Sequence, residues 1–139
     1  ANVKLFHNLV ANETEQELFI KKLSISKFNT YGSNMIEKTE IKNENSPNIE
    51  KINSIKIDDV FFDKKISLMK IDVQGYDLEV LKGSKKTIIK QQMPIIFEYE
   101  EDFAKDFNYT FKNFESFIDE INYRISIQID KSNYLILPK

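Results

Sequence analysis

The sequence has no cysteine, one histidine, one arginine and three glycines in 139 residues. Without cysteine there is no disulfide scaffold, no thiolate metal site and no cysteine nucleophile. The lone His7 excludes an HExxH zinc site and makes a serine–histidine–aspartate triad untenable as a first reading. Arg124 is the sole arginine, so bidentate clamps for phosphate or carboxylate are scarce. Gly32, Gly75 and Gly83 are far fewer than the usual share of about 7%, and no two stand close enough for a GxGxxG turn or a P-loop. The chain therefore has no glycine-rich phosphate cradle of its own. No run of about 18 apolar residues exists, which excludes a helical membrane span. Residues 1–11 interrupt their apolar character with Lys4, His7 and Asn8, unlike a signal peptide. A cytoplasmic location is expected.

What is present is a chain 41% hydrophobic and 30% charged with a net charge of −2. That length fits one domain, residues 1–139, able to bury about two thirds of its unfolded surface. The near-balanced charge offers no electrostatic case for nucleic acid.

Residues 2–11 read as a strand, from the alternation of Val3 and Leu5 with Lys4 and Phe6. Residues 17–23 and 31–36 read as strands, residues 38–48 as a loop, and residues 49–57 as a strand carrying Ile52, Ile55 and Ile57. Asp58 and Asp59 suit the start of a short helix through Val60, Phe61 and Phe62. Residues 66–73 form an apolar strand. Tyr76 to Lys82 has helical spacing at Leu78 and Leu81, with Gly83 as its stop and Ser84 as the cap of a second helix running to about Gln92. Residues 94–100 form a compact apolar strand. Residues 113–121 place Phe114, Phe117, Ile118 and Ile121 on one helical face. Residues 123–130 and 134–137 are strands joined by a tight turn at 130–133. Strands alternating with helices imply an α/β fold with a mostly parallel sheet, closed by an antiparallel C-terminal hairpin.

In such sheets ligands bind beyond the carboxyl ends of the strands. That rule selects Lys70-Ile71-Asp72-Val73-Gln74-Gly75 and Glu98. Lys70 and Asp72 share a strand face. Asp72 either contacts a cofactor or substrate in a cleft, or makes a structural pair with Lys70 or caps the next helix. Glu98 either faces the same cleft as a proton or hydroxyl acceptor, or is an ordinary solvated acid like Glu100 and Glu101. Gly75 serves either a close approach to a ligand or a tight turn. Gly32-Ser33-Asn34 is either a substrate loop or a turn between strands. His7 is either a base or a surface histidine. Phe103, Phe107, Phe111, Phe114 and Phe117 either line an acceptor pocket or cover the sheet as core.

One stretch goes beyond composition. Lys70-Ile71-Asp72-Val73-Gln74-Gly75-Tyr76-Asp77, followed by Val80-Leu81-Lys82-Gly83-Ser84 and then Pro94 and Glu98, resembles the central signature of the FkbM-type methyltransferases, a K-I-D-[VT]-[EQ]-G-x-E-x-x-V-L-K-G-A pattern followed by P-x-[IV]-x-x-E. Flanking pieces at residues 2–19, 31–36, 54–61 and 114–125 agree more loosely, so the resemblance spans nearly the whole chain. Asp77 stands where the family usually has glutamate, one methylene shorter, and Ser84 where it usually has alanine.

The resemblance implies a Rossmann-like class I methyltransferase that uses S-adenosylmethionine to methylate a hydroxyl of a sugar, glycolipid or secondary metabolite. By matching position, Asp72 and Glu98 are the expected catalytic pair. Gln74, Gly75, Tyr76 and Asp77 are the expected substrate contacts. Leu9, Val10 and Asn12, with Asp72, are the expected cofactor contacts; no metal is expected. The resemblance also implies that the family's first strand, its glycine-rich turn and its second strand lie before residue 1, so the 139 residues are expected to be the C-terminal part of the domain, lacking the cofactor-binding half. The exposed sheet edge so created is an expected site of self-association. The alternative reading is a non-catalytic binding or scaffold module. A nucleotide-sugar glycosyltransferase half would need a DxD-type metal site, and Asp58-Asp59 lacks a third partner.

Overall fold

The computed structural model describes residues 3–14, 17–21, 49–60 and 62–139. The expected strand at 31–36, the loop at 38–48 and the Gly32-Ser33-Asn34 segment lie outside the described residues. Two sheets form. In the first, β1 (Leu9–Val10) pairs in parallel with β3 (Ile49–Ile55), which pairs antiparallel with β2 (Glu17–Lys21). The second sheet has the order β4-β5-β7-β6, from β4 (Met69–Lys70), β5 (Ile95–Glu98), β6 (Tyr123–Gln128) and β7 (Asn133–Pro138).

The expectation of a mostly parallel sheet needs correcting. β4 and β5 are parallel, but both other ladders of this sheet are antiparallel. The cause is where the last strand goes. β4, β5 and β6 all run one way, as strand–helix alternation predicts, but β7 folds back from β6 and inserts between β6 and β5. One reversed strand in the middle thus creates two antiparallel ladders. The C-terminal hairpin itself is as expected.

The first strand is also shorter than its alternation suggests. Only Leu9 and Val10 are paired, and Val3 and Leu5 are 73% and 89% exposed. Alternation without a neighbouring strand does not make a ladder. The short helix expected after Asp58 is only a 3₁₀ turn, Ile57–Asp59. Asp58 does cap a helix, but a distant one: its carboxylate accepts the backbone N–H groups of Lys86 (3.0 Å) and Thr87 (2.8 Å), at the start of α2 (Lys85–Gln91). A carboxylate there satisfies orphan amides of the first turn.

α1 (Asp77–Gly83) runs almost directly into α2. Ser84 sits between them, and its hydroxyl donates back to the Val80 carbonyl at 2.7 Å rather than capping the second helix. Gly83 does not stop α1 by a left-handed turn, as a C-terminal glycine often does. Its role is contact: a Cβ there would lie 2.0 Å from the Ala11 carbonyl oxygen. After β5 come α3 (Glu101–Asp106), which the sequence pattern did not signal, and α4 (Phe111–Glu120).

The core lies between α1, α2 and α4 and one face of the second sheet. Leu78, Leu81, Ile88, Phe114, Phe117 and Ile118 pack on Ile95, Phe97, Tyr123 and Ile136. Phe97 stacks on Phe114 at 5.2 Å and on Tyr134 at 5.5 Å. Each such fully buried large side chain contributes about 1.5–3 kcal/mol of transfer free energy. Phe107, Phe114 and Phe117 are buried and Phe103 and Phe111 half-buried, so the phenylalanine series serves as core and sheet cover. The alternation of Ile125, Ile127 and Ile129 makes a strand but not a buried face. A register shift between Ile125 and Ile127 turns the chain over, and Ile127 and Ile129 remain half exposed.

The Gly83 contact predicts a large effect from a small change. Gly83→Ala must displace the β1 backbone, and overpacking of this kind costs about 3 kcal/mol. Urea denaturation should show a matching fall in midpoint; an unchanged midpoint would mean that β1 moves aside freely.

Candidate active site

The site is built where β4 and β5 end together. The register pairs Lys70 with Ile96, the last pair of the ladder; Asp72 lies two residues beyond it and Glu98 ends β5, near enough for the Asp72 charge to act on Glu98. Lys70 donates to Asp72 Oδ2 at 3.2 Å and to the Ile71 carbonyl at 3.0 Å. Both side chains remain well exposed, so the pair adds little stability. Asp72 does not cap α1, whose N-terminus carries no side-chain cap.

The chain then reverses through Val73–Tyr76. Gln74 (φ 50°) and Gly75 (φ 89°) are both left-handed, and the Tyr76 N–H reaches the Val73 carbonyl at 3.3 Å. Two successive positive φ values make a tight turn that favours glycine at one position. Space demands it as well, since a Cβ on Gly75 would lie 2.8 Å from the Phe103 backbone. Gly75 therefore serves the turn and the packing of α3.

Asp77 opens α1 and is fully buried. Its Oδ1 accepts the Glu98 N–H at 3.1 Å, and its Oδ2 is enclosed without a partner. Burial pushes its carboxyl from 3.8 to about 6; the amides of Glu98, Val73 and Asp77 itself pull the other way, and the charge of Asp72 adds to the rise. Glu98 is half-buried. Its Oε1 accepts the Ser132 hydroxyl at 3.4 Å, and its Oε2 is enclosed with no donor. Burial raises its carboxyl above the ordinary range, helped by the charges of Asp72, Glu100 and Asp77 and opposed by Lys70. Glu98 is thus not an ordinary solvated acid. The turn at 130–133 forms a third wall. Asp130 accepts the N–H groups of Ser132 (3.0 Å) and Asn133 (2.8 Å), and the Ser132 carbonyl accepts the Tyr99 N–H at 2.8 Å.

The structure therefore brings Asp72, Asp77 and Glu98 together, with Gln74 half-buried in the adjoining turn. It does not bring the Tyr76 ring to them. That ring is buried against Phe107 at 5.1 Å, in a cluster with Ala11 that Leu9 and Val73 border. Val10 packs on the main core; of the expected cofactor contacts Asn12 and Asp72 are exposed and Leu9 and Val10 half-buried. His7 is exposed on the segment before β1. Sequence reasoning missed Ser132 and Asp130. No local signal could have found them, because their arrival beside Glu98 depends on β7 pairing with β5.

Asp77 itself was expected at the cleft surface, touching substrate, and instead is closed off from solvent. Among the described residues, no three His, Cys, Asp or Glu side chains converge to hold a metal ion, and no helix is long and apolar enough to cross a membrane.

In open α/β sheets ligands bind beyond the carboxyl ends of the strands, which is where Asp72 and Glu98 lie. The sequence model of the methyltransferase FkbM domain matches residues 2–125. The chain belongs to that family. The family implies methyl transfer from a donor of the S-adenosylmethionine type. No curated protein and no solved structure matches the chain.

The buried Asp77 sets a pH dependence. The folded state binds its proton more tightly than the unfolded chain between an ordinary 3.8 and about 6. The stability this group contributes therefore declines as pH rises through that window, by roughly 3 kcal/mol in all. Asp77→Asn buries no charge. Urea titrations of both proteins at about pH 4.5 and pH 7.5 should show the variant gaining relative to the parent at the higher pH. An equal difference at both values would show that Asp77 ionises without penalty.

Proposed function

We propose that the chain carries the acceptor side of an S-adenosylmethionine-dependent O-methyltransferase acting on a hydroxyl of a sugar, glycolipid or secondary metabolite. The observation that carries this reading is the nearness of Asp72, just past the end of β4, to Glu98 at the end of the adjacent parallel strand, with one Glu98 oxygen left without a donor. S-adenosylmethionine, when bound, supplies an electrophilic methyl group. Asp72, exposed at the mouth, accepts a hydrogen bond from the acceptor hydroxyl and orients it. Glu98 takes the hydroxyl proton as the oxygen gains its methyl group. Its raised pKa makes it a stronger base than a solvated glutamate. Lys70 is the cation at this site and is already held by Asp72, which favours an uncharged polyol over an anionic acceptor.

The described residues fit this acceptor role better than an adenosyl cradle. Gly75 and Gly83 are both closed by backbone packing, against Phe103 and Ala11, so neither allows a cofactor to approach the main chain. In this reading the cradle is made by the cofactor half expected outside these residues. A second reading, a non-catalytic module, is favoured by β4: among the described residues it pairs only with β5, leaving a strand edge for self-association or a partner strand.

Radiolabelled methyl transfer to a panel of neutral sugars tests the first reading. Asp72→Asn should lower turnover about 100-fold or more while leaving the melting temperature nearly unchanged, because the side chain is exposed. Turnover intact with a large loss of melting temperature would make Asp72 structural. A stable dimer without any transfer would select the second reading.

A further inference from the structure

Asp77 makes a contact that the strand ladder would otherwise supply. The last rung between β4 and β5 is the Ile71 N–H on the Ile96 carbonyl, at 2.8 Å. Beyond it the chain leaves the sheet for the turn at 73–76. Glu98's amide is next in line on β5, and it donates to Asp77 Oδ1 instead. The Ile71 carbonyl is itself occupied by Lys70. A carboxyl on the first residue of α1 has thus taken the place of a missing backbone acceptor. It does so fully buried, with its second oxygen partnerless and walled off from solvent. Leaving a carboxylate oxygen so placed is costly, and a purely structural clip would be served as well by an asparagine, whose carbonyl accepts the same amide.

We infer that Asp77 is a positioning residue: one enclosed carboxyl clips the end of β5 to the turn after β4, sets the placement of Glu98 relative to Asp72 and adds its charge to Glu98's surroundings. The inference rests on the reading of Asp72 and Glu98 as the reacting pair, but its first readout needs no turnover. The charged groups around the clip are Asp72 from the turn and Glu98 from β5, with Glu100 and Lys70 acting on Glu98 in turn. A charge on Asp77 opposes a charge on Glu98, so Glu98 keeps its proton to higher pH than it would beside a neutral residue and is the stronger base once ionised.

The test is nuclear magnetic resonance on the 139-residue chain. In the parent, the Glu98 backbone amide should shift with a midpoint of about 6, following the carboxyl it donates to. In Asp77→Asn that shift should vanish, and the midpoint of the Glu98 side-chain carboxyl should fall. Asp77→Glu, which keeps the charge, should keep the pH-dependent amide shift. A Glu98 carboxyl midpoint unmoved by Asp77→Asn would overturn the inference, as would an amide shift that persists in it. If Asp77→Asn does not fold, Asp77→Glu decides alone: its longer side chain should alter the Glu98 carboxyl midpoint, and an unaltered midpoint overturns the inference. In methyl-transfer assays Asp77→Asn should lower kcat roughly 10–100-fold with acceptor KM within about threefold, and Asp77→Glu should restore most of it. An absence of transfer in the parent would count against the functional reading while the resonance pattern still judged the clip.

Discussion

The closeness of α1 to the end of β1 is the constraint on which the rest of this structure depends. At Gly83 only a hydrogen atom fits against the Ala11 carbonyl. Ala11 is itself fully buried, and its amide is held by the Ile55 carbonyl at 3.0 Å. The first sheet is therefore seated on the helix that leads out of the second. That seating orients α1, and α1 presents its two ends to different tasks. Its C-terminal end receives β1. Its N-terminal end carries Asp77 to Glu98, where β5 ends beside the segment that follows β4 and bears Asp72. A chain with so few glycines has placed two of them where backbone meets backbone, one against Ala11 and one against Phe103.

Much of this was legible in the sequence where local and tertiary demands agree. The apolar strand at Ile95–Glu98, the face of Phe114, Phe117 and Ile118, and the closing hairpin all follow from period and turn chemistry, because burial there is decided by neighbours in sequence. What was not legible depends on distant partners. Asp58 has the look of a helix start, and it is one, but for Lys86 and Thr87 of a helix nearly thirty residues away. Ile127 and Ile129 alternate as an amphipathic strand should, yet they face outward, because a bulge is invisible to a period-two pattern. β7 lies between β5 and β6, and no local signal tells on which side of its hairpin partner a strand will settle.

The candidate site divides along the same line. Asp72 and Glu98 could be placed near one another because strand alternation and the carboxyl-end rule are properties of the backbone. Asp77 was placed on the substrate side by its position in the signature, and its burial reverses that placement. A spacing pattern reports which residues a family keeps near a site. It does not distinguish a group that touches the acceptor from one that holds another group in place. Ser132 and Asp130 were missed because they arrive from the far end of the chain, brought by the pairing of Asn133 with Glu98.

On the proposed reading, charge explains why such an arrangement suits hydroxyl chemistry. Asp72, Asp77, Glu98 and Glu100 act on one another. Lys70 opposes them and is tied to Asp72. Burial, with the nearby like charges adding to it, raises the carboxyls of Asp77 and Glu98, while Asp72 lies exposed at the mouth. A hydroxyl entering this group meets one fixed acceptor and one acid poised to exchange a proton. A phosphate or carboxylate entering it meets repulsion that neither Lys70 nor Arg124, away on β6, is placed to offset. In the proposed reading the acidic surroundings thus act as a filter on the acceptor's charge before any chemistry begins.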